Sequence, residues 1–174
     1  MKQVTIIFSL LSLFVSMQSW AEVLGSDKHG FIIKLVQQVK TTPEKAYQQF
    51  IHIGQWWHSD HTWFGDATKL SLTPKVGSCF CEINGDKQAL HMTVSYVEPN
   101  KEIRLIGGLG PLQMLGVHGG MSWSFTPLDN YHTEIILHYQ VSGFTEQGLD
   151  KLAPIVDKVQ SLQFNRLLNK LQTL

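Results

Sequence analysis

From residue 78 to residue 141 apolar and polar positions alternate with a period of two, the spacing of a strand with one buried face. Residues 78–83 and 87–97 flank Asn84-Gly85-Asp86, which reads as a hairpin turn. Glu98-Pro99-Asn100-Lys101 makes the next turn, into a strand over 103–106, and two more strands follow over 120–126 and 133–141. Earlier, residues 31–40 form a first strand rich in β-branched and apolar side chains, and residues 69–73 a short one ended by Pro74.

The period changes in two places. Thr42 can cap a helix, Pro43 suits its first position and Glu44 its positive end. Ala46, Tyr47 and Phe50, with Ile51 or Ile53, make its apolar stripe, and Gly54 is expected to stop it. A short second helix and a loop should follow. Residues 149–171 form a long closing helix with Pro154 in its early turns. Seven strands and few helices, in the order strand, helices, six strands, helix, make an α+β fold. A meandering antiparallel sheet is covered on one face by the last helix.

Hairpin register predicts which face is inside. A two-residue turn at 84–85 pairs Cys81 with Gln88, and a shift of one pairs it with Leu90. Either way Cys79, Cys81 and Ile83 share a face with Leu90, Met92, Val94 and Tyr96, joined by Ile103 and Leu105. That face is apolar and is placed inward. Met121, Trp123, Phe125, Ile135, Leu137, Tyr139 and Val141 point in by the same rule. Glu82, His91 and Arg104 then form a polar cluster outside, unless a bulge near Gly77 reverses the parity and turns Glu82 and His91 into cavity groups. On the closing helix Leu152, Ile155, Val156, Val159, Leu162 and Leu167 cluster on one side, with Gln163 inside that sector and Arg166 at its edge. A buried Gln163 needs a backbone partner or a wet cavity.

Composition narrows the functional classes. A single domain fits 174 residues. Net charge is zero and no run of like charge is present, so nucleic acid is not an expected partner. Lys2 followed by an apolar run over 4–15, then Ser19-Trp20-Ala21, has the layout of a secretory signal cut after Ala21. The run is shorter than the ~20 apolar residues of a spanning helix. The expected organisation is a signal peptide over 1–21 and one domain over 22–174, exported to a periplasm or secreted, with no membrane anchor once the signal is removed. Cys79 and Cys81 must then survive an oxidising compartment. On a regular strand positions i and i+2 are too far apart for a disulfide, so buried free thiols are expected.

Residues 55–66, Gln-Trp-Trp-His-Ser-Asp-His-Thr-Trp-Phe-Gly-Asp, are dense in aromatic and imidazole groups. His58-x-x-His61 with Asp60 invites a metal reading, but zinc needs three or four protein ligands and no HExxH or CxxC is present. No metal and no cofactor is expected. Residues 107–113 lack the phosphate-loop pattern and read as a glycine-rich mouth loop or gate. No G-x-S-x-G elbow occurs.

A set of motifs runs in order through the chain. They are Trp56-Trp57, His61-Thr62, Gly65-Asp66-Ala67, Leu70-Ser71-Leu72 and Gly77-x-Cys79-Phe80-Cys81-Glu82, then His91-Met92, Gly108-Leu109-Gly110-Pro111-Leu112-Gln113, Tyr139-x-Val141, Val156-Asp157-x-Val159, Gln163 and Arg166-Leu167. In these the chain resembles the SRPBCC superfamily, the START-like or polyketide-cyclase and lipid-transport fold, and within it an exported bacterial group of unknown function. The resemblance covers residues 30–172. It implies a helix-grip fold: a curved seven-stranded antiparallel sheet wrapped around a long C-terminal helix, two short helices after the first strand, and a cavity between sheet and helix.

The leading expectation is a periplasmic binding or carrier protein for an apolar or amphipathic small molecule. Trp57, Trp63, Met92, Trp123 and Tyr139 would wall the cavity, with His61 and Gln163 as polar handles. The alternative is a cyclase- or dehydratase-type enzyme in the same cavity, with His61, Tyr139 and Gln163 as its acid, base or orienting groups. A further reading is a structural or partner-binding module whose core is filled by its own side chains. Whether the protein is an enzyme, and which proteins it meets, stays open at this level.

Overall fold

The computed structural model describes residues 21–173, and the expected signal segment lies outside the described residues apart from Ala21. Eight strands form one antiparallel sheet: β1 (Ala21–Asp27), β2 (Gly30–Val39), β3 (Leu70–Leu72), β4 (Cys79–Asn84), β5 (Lys87–Glu98), β6 (Glu102–Ile106), β7 (His118–Pro127) and β8 (Thr133–Ser142). Their spatial order is β1-β2-β8-β7-β6-β5-β4-β3. Two α-helices accompany them, α1 (Pro43–Ile51) and α2 (Ala153–Leu171). The long helix lies against β1 and β2 and touches α1. This is the α+β arrangement that the chain's periodicity implied, and it is helix-grip-like, as the resemblance implied.

The eighth strand is β1, which the sequence reading did not count. It pairs with β2 through a turn in which Asp27 Oδ1 accepts from the backbone N–H of His29 and Gly30. The expected second short helix is absent among the described residues. Three single 3₁₀ turns, Ile53–Gln55, Ser59–His61 and Ala67–Lys69, take its place. Thr42 caps α1 as expected, its hydroxyl accepting from Lys45 N–H. The helix ends at Ile51, before Gly54. Gly54 serves close packing instead, since a Cβ there would stand 2.9 Å from the Ala67 carbonyl oxygen.

The inward set on β6, β7 and β8 is as the alternation predicts. Ile103, Leu105, Met121, Trp123, Phe125, Ile135, Leu137, Tyr139 and Val141 are all buried. Phe50 sits 4.8 Å from Trp123 and 5.5 Å from Phe125, centroid to centroid, and Trp56 and Phe164 close around them. The core is therefore densest at the end of the sheet where α1 and the second half of α2 meet it.

On β4 and β5 the expected parity is corrected. The turn falls at Gly85-Asp86 and Cys81 does pair with Leu90, but Phe80 pairs with Met92, so His91 is an extra residue in the ladder. This bulge reverses the facing of β5 from one side of His91 to the other. A second one inserts Ser95 between Val94 and Tyr96. Met92 and Val94 are buried as expected, whereas Ile83, Leu90 and Tyr96 are exposed. Phe80, Glu82 and His91 face inward instead. Only Arg104 of the predicted outer cluster stays outside, ion-paired to Glu102 and stacked 4.5 Å over Tyr96.

The same irregularity corrects the reading of the cysteines. Cys79 and Cys81 form a disulfide, with their Cα atoms 5.4 Å apart. A regular strand would hold the two thiols apart, and β4 departs from one between Phe80 and Cys81, where its partner bulges.

The apolar stripe of α2 is also divided. Its buried line is Ala153, Gln160, Gln163, Phe164, Leu167, Leu168 and Leu171. Ile155 and Leu162 are exposed, and Leu152, Val156 and Val159 are half-buried. The second half of the helix packs on the core, while its first half borders open space.

Candidate functional site: a cavity beneath the glycine-rich loop

A cavity of about 410 Å³ lies between the first half of α2, β8, β4–β5 and the loops. Leu152, at the start of α2, and Ile155, Val156 and Val159 within it form one wall, and Trp57, Phe80 and Tyr139 stand opposite. The loop after β6 covers it with Leu109, Leu112 and Leu115, and residues 60–63 make its rim. This volume and lining suit a small apolar or amphipathic molecule.

The rim is held from three sides by side chains of α2 and β4. Gln163 Oε1 accepts from His58 N–H at 2.9 Å, and Arg166 Nε donates to the Trp56 carbonyl at 2.7 Å. Glu82, fully buried, takes the backbone N–H of Trp63 on Oε2 at 2.8 Å and that of Phe64 on Oε1 at 2.7 Å. A carboxylate can be buried here because polar groups meet both oxygens. Within the rim, Trp57 Nε1–H donates to the His61 carbonyl at 2.9 Å.

Glu82 has a third partner. His91 Nε2 lies 3.3 Å from Glu82 Oε2, and the imidazole packs against the Phe80 ring at 4.8 Å. Since Glu82 is already accepting on both oxygens, the hydrogen in this contact belongs to His91 Nε2. Burial holds the His91 imidazole below the ordinary histidine range, against the opposing pull of the carboxylate. The neutral ring thus carries its proton on Nε2 and leaves Nδ1 as a bare acceptor. Nδ1 is buried and has no hydrogen-bond partner among the described residues.

Tyr139 stands on another wall of the cavity. Its hydroxyl oxygen accepts from Leu109 N–H at 3.4 Å, which ties it to the covering loop. Burial pushes the phenol up to about 12, so it keeps its proton and remains a donor. The ring fits because residue 119 is glycine: a Cβ there would lie 2.9 Å from the ring and 2.7 Å from the Gly107 carbonyl oxygen. The loop itself is pinned by Gln113, whose Nε2–H₂ group donates to the Leu90 and His91 carbonyls. Gln160 borders the cavity from α2, is buried, and has an unpartnered Oε1.

Four of the residues singled out from sequence, Trp57, His61, Trp63 and Tyr139, border this cavity. Trp123 lies in the packed core between Phe50 and Phe164, and Met92 is buried beside the bulge. Gln163, expected as a polar handle of the cavity, is not among its lining residues; it bonds the rim backbone at His58 instead, one of the two partners that its place on an apolar stripe allowed. His58 and His61 have ring centroids 5.9 Å apart, and His58 Nδ1 accepts from Asp60 N–H. Among the described residues no three His, Cys, Asp or Glu side chains gather as a metal site would require. Of the polar groups here, Gln160 was missed from sequence, while His91 and Glu82 were expected outside unless a bulge near Gly77 turned them inward; the bulge that does so lies at His91. The signal that could have placed His91 and Glu82 was the conflict between an apolar Phe80 and its polar strand neighbours.

No family model and no curated protein matches this chain. Solved structures do. A protein from Rhizobium leguminosarum superposes with a TM-score of 0.59 at 14% identity, over 91% of this chain and 100% of that one. A conserved protein of unknown function from Enterococcus faecalis gives 0.57 at 11%, over 87% and 75%. DynU16, a protein of the dynemicin biosynthetic locus, gives 0.57 at 15%, over 82% of this chain and 47% of that one. At these identities the likeness shows a shared fold and is compatible with the SRPBCC resemblance.

Proposed function

We propose that this protein binds an apolar or amphipathic small molecule in the cavity between α2 and the sheet, and that it does so as an exported carrier. The observation that carries the binding reading is the cavity of about 410 Å³, walled by Trp57, Phe80, Leu112, Val156 and Val159 with few polar groups. Open space of this size speaks against a core filled by its own side chains. Burying an apolar ligand there releases ~25 cal/mol per Å² of apolar surface, enough for micromolar binding once the cost of immobilisation is met. Export rests on the charge and apolar pattern of residues 1–21.

A titration with N-phenyl-1-naphthylamine tests the binding reading. Its fluorescence should rise saturably with the wild-type protein. A Val159→Trp substitution, which fills the cavity, should abolish the rise while the circular dichroism stays unchanged. No rise, or a rise indifferent to Val159→Trp, would overturn the reading. Localisation is checked by fractionating cells and reading the N-terminal residue of the mature chain.

A second reading has its own observation. A buried imidazole oriented by a carboxylate, at the wall of an apolar cavity, is the arrangement of a general base. The cyclase- or dehydratase-type alternative would use His91 as that base and Tyr139 as the donor. Turnover lost in His91→Phe, with ligand affinity retained, would favour it.

A further inference from the structure

The polar atoms of the cavity differ in kind as well as number. We infer that the cavity selects a neutral ligand bearing a hydroxyl group, a phenol or an alcohol, whose O–H donates to His91 Nδ1. This deepens the binding reading and rests on it. Three features of the site carry it.

First, Glu82 sets the polarity of His91. With its oxygens occupied by Trp63 N–H, Phe64 N–H and His91 Nε2–H, the carboxylate leaves the imidazole one unfilled function, an acceptor at Nδ1. A buried acceptor without a partner is costly, and a ligand donor would recover that cost. Glu82 is a positioning residue, since it acts only through His91.

Second, the other walls can serve the same hydroxyl from its oxygen side. Tyr139 keeps a proton to donate because burial holds its phenol protonated, and that proton is not used by the bond in which its oxygen accepts from Leu109 N–H. The Gln160 side chain makes no hydrogen bond among the described residues, and its amide can donate or accept. A hydroxyl both donates and accepts, and so can use all three groups. An ether or a hydrocarbon cannot use His91.

Third, the site holds no permanent cation to meet an anion, and His61 lies at its exposed rim. None of the residues lining the cavity is Lys or Arg, and its one carboxylate, Asp60, stands 85% exposed at the rim. A ligand carboxylate would be buried without a cation and would face the lone pair of His91, an arrangement that costs more than it returns.

The test compares three probes of one size: 2-naphthol, 2-methoxynaphthalene and 2-naphthoate, titrated calorimetrically at neutral pH. The wild-type protein should bind 2-naphthol about tenfold more tightly than 2-methoxynaphthalene, the value of one buried hydrogen bond, and 2-naphthoate most weakly. His91→Phe keeps a ring against Phe80 and should bring the two neutral probes within about twofold of each other, by weakening 2-naphthol alone. Gln160→Leu should narrow the gap less, and it keeps the test alive if His91→Phe does not fold. Equal affinity of the two neutral probes in the wild type, tighter binding of 2-naphthoate, or an undiminished preference in folded His91→Phe would overturn the inference and leave the cavity reading standing. Binding of none of the probes would overturn both.

Discussion

Strands β7 and β8 run side by side through ten consecutive pairs with no shift of register, and every buried inward position on them is an apolar or aromatic residue or a glycine except Thr133, whose hydroxyl donates to the Thr41 carbonyl. Strands β4 and β5 pair across a ladder broken at His91, and β5 is broken again at Ser95 against β6. The regular pair carries the packed aromatic core of Trp123 and Phe125. The broken pair carries the buried polar groups Glu82 and His91 and the disulfide on the opposite face. An unbroken ladder stacks like side chains over like and suits a dry core. A bulge turns one residue out of sequence and so can aim a polar side chain inward between apolar neighbours. The contrast teaches that the sheet is built for stability on one side and for chemistry on the other.

The largest test of the contrast lies on the regular side. Trp123→Ala should cost ~3–5 kcal/mol in urea unfolding, because the aromatic cluster around Phe50 and Phe164 cannot collapse into the space. A cost below ~1 kcal/mol would mean that this end is not the packed core. On the broken side, Glu82→Leu should cost about 3 kcal/mol, since it strands two backbone N–H groups and the His91 Nε2–H. It should also release the rim, read as a change in tryptophan emission from Trp63, whereas Trp123→Ala should leave the rim in place.

The disulfide ranks next. It closes a loop with a sequence separation of only 2, so chain entropy assigns it about 1.5 kcal/mol. Replacing both Cys79 and Cys81 by serine should lower stability by no more than this, and mass measurement of the unreduced and reduced wild type checks that the bond is present.

The pH response should then separate the two sides again. The folded His91 titrates below the ordinary value of about 6.5, so the unfolded chain takes up this proton first. Its contribution to stability is complete above about pH 6.5 and is lost as the pH falls from there toward the folded value. The difference between wild type and His91→Phe in urea midpoints should therefore vary over that window and be flat above it. A difference that does not vary with pH would show that His91 is not buried neutral. The smallest effect belongs to Leu90→Thr. Leu90 is 55% exposed on the far side of the bulge, and the change should move stability by less than about 0.5 kcal/mol. Were Leu90 inward, as an unbroken register would place it, the loss would be several times larger.

What was legible in the chain follows the same division. Alternation along 120–126 and 133–141 gave the strands and their inward faces, because a regular ladder preserves parity from one strand to the next. Thr42 and Pro43 gave the start of α1, and the apolar stripe gave the closing helix. The four cavity residues foreseen, Trp57, His61, Trp63 and Tyr139, belong either to the aromatic stretch or to a regular strand. His91 and Glu82 were sent to the wrong face by a single inserted residue, since the parity rule has no memory of the side chain that it displaces. Gln160 was not singled out at all. Its neighbours on α2 give no hint that the buried line leaves the apolar stripe where the cavity opens.

By itself, then, the sequence determined the class of fold, the order of its elements from β2 onward apart from the short second helix, the apolar faces of its regular strands and the lack of any run of like charge. Those follow from local propensity and periodicity, which act over a few residues. The tertiary structure decided which residues line the cavity, that Cys79 meets Cys81, and that Glu82 holds His91 with one nitrogen bare. Those depend on where a ladder breaks and on what packs across it from α2 and the rim, contacts made between residues as far apart as His58 and Gln163.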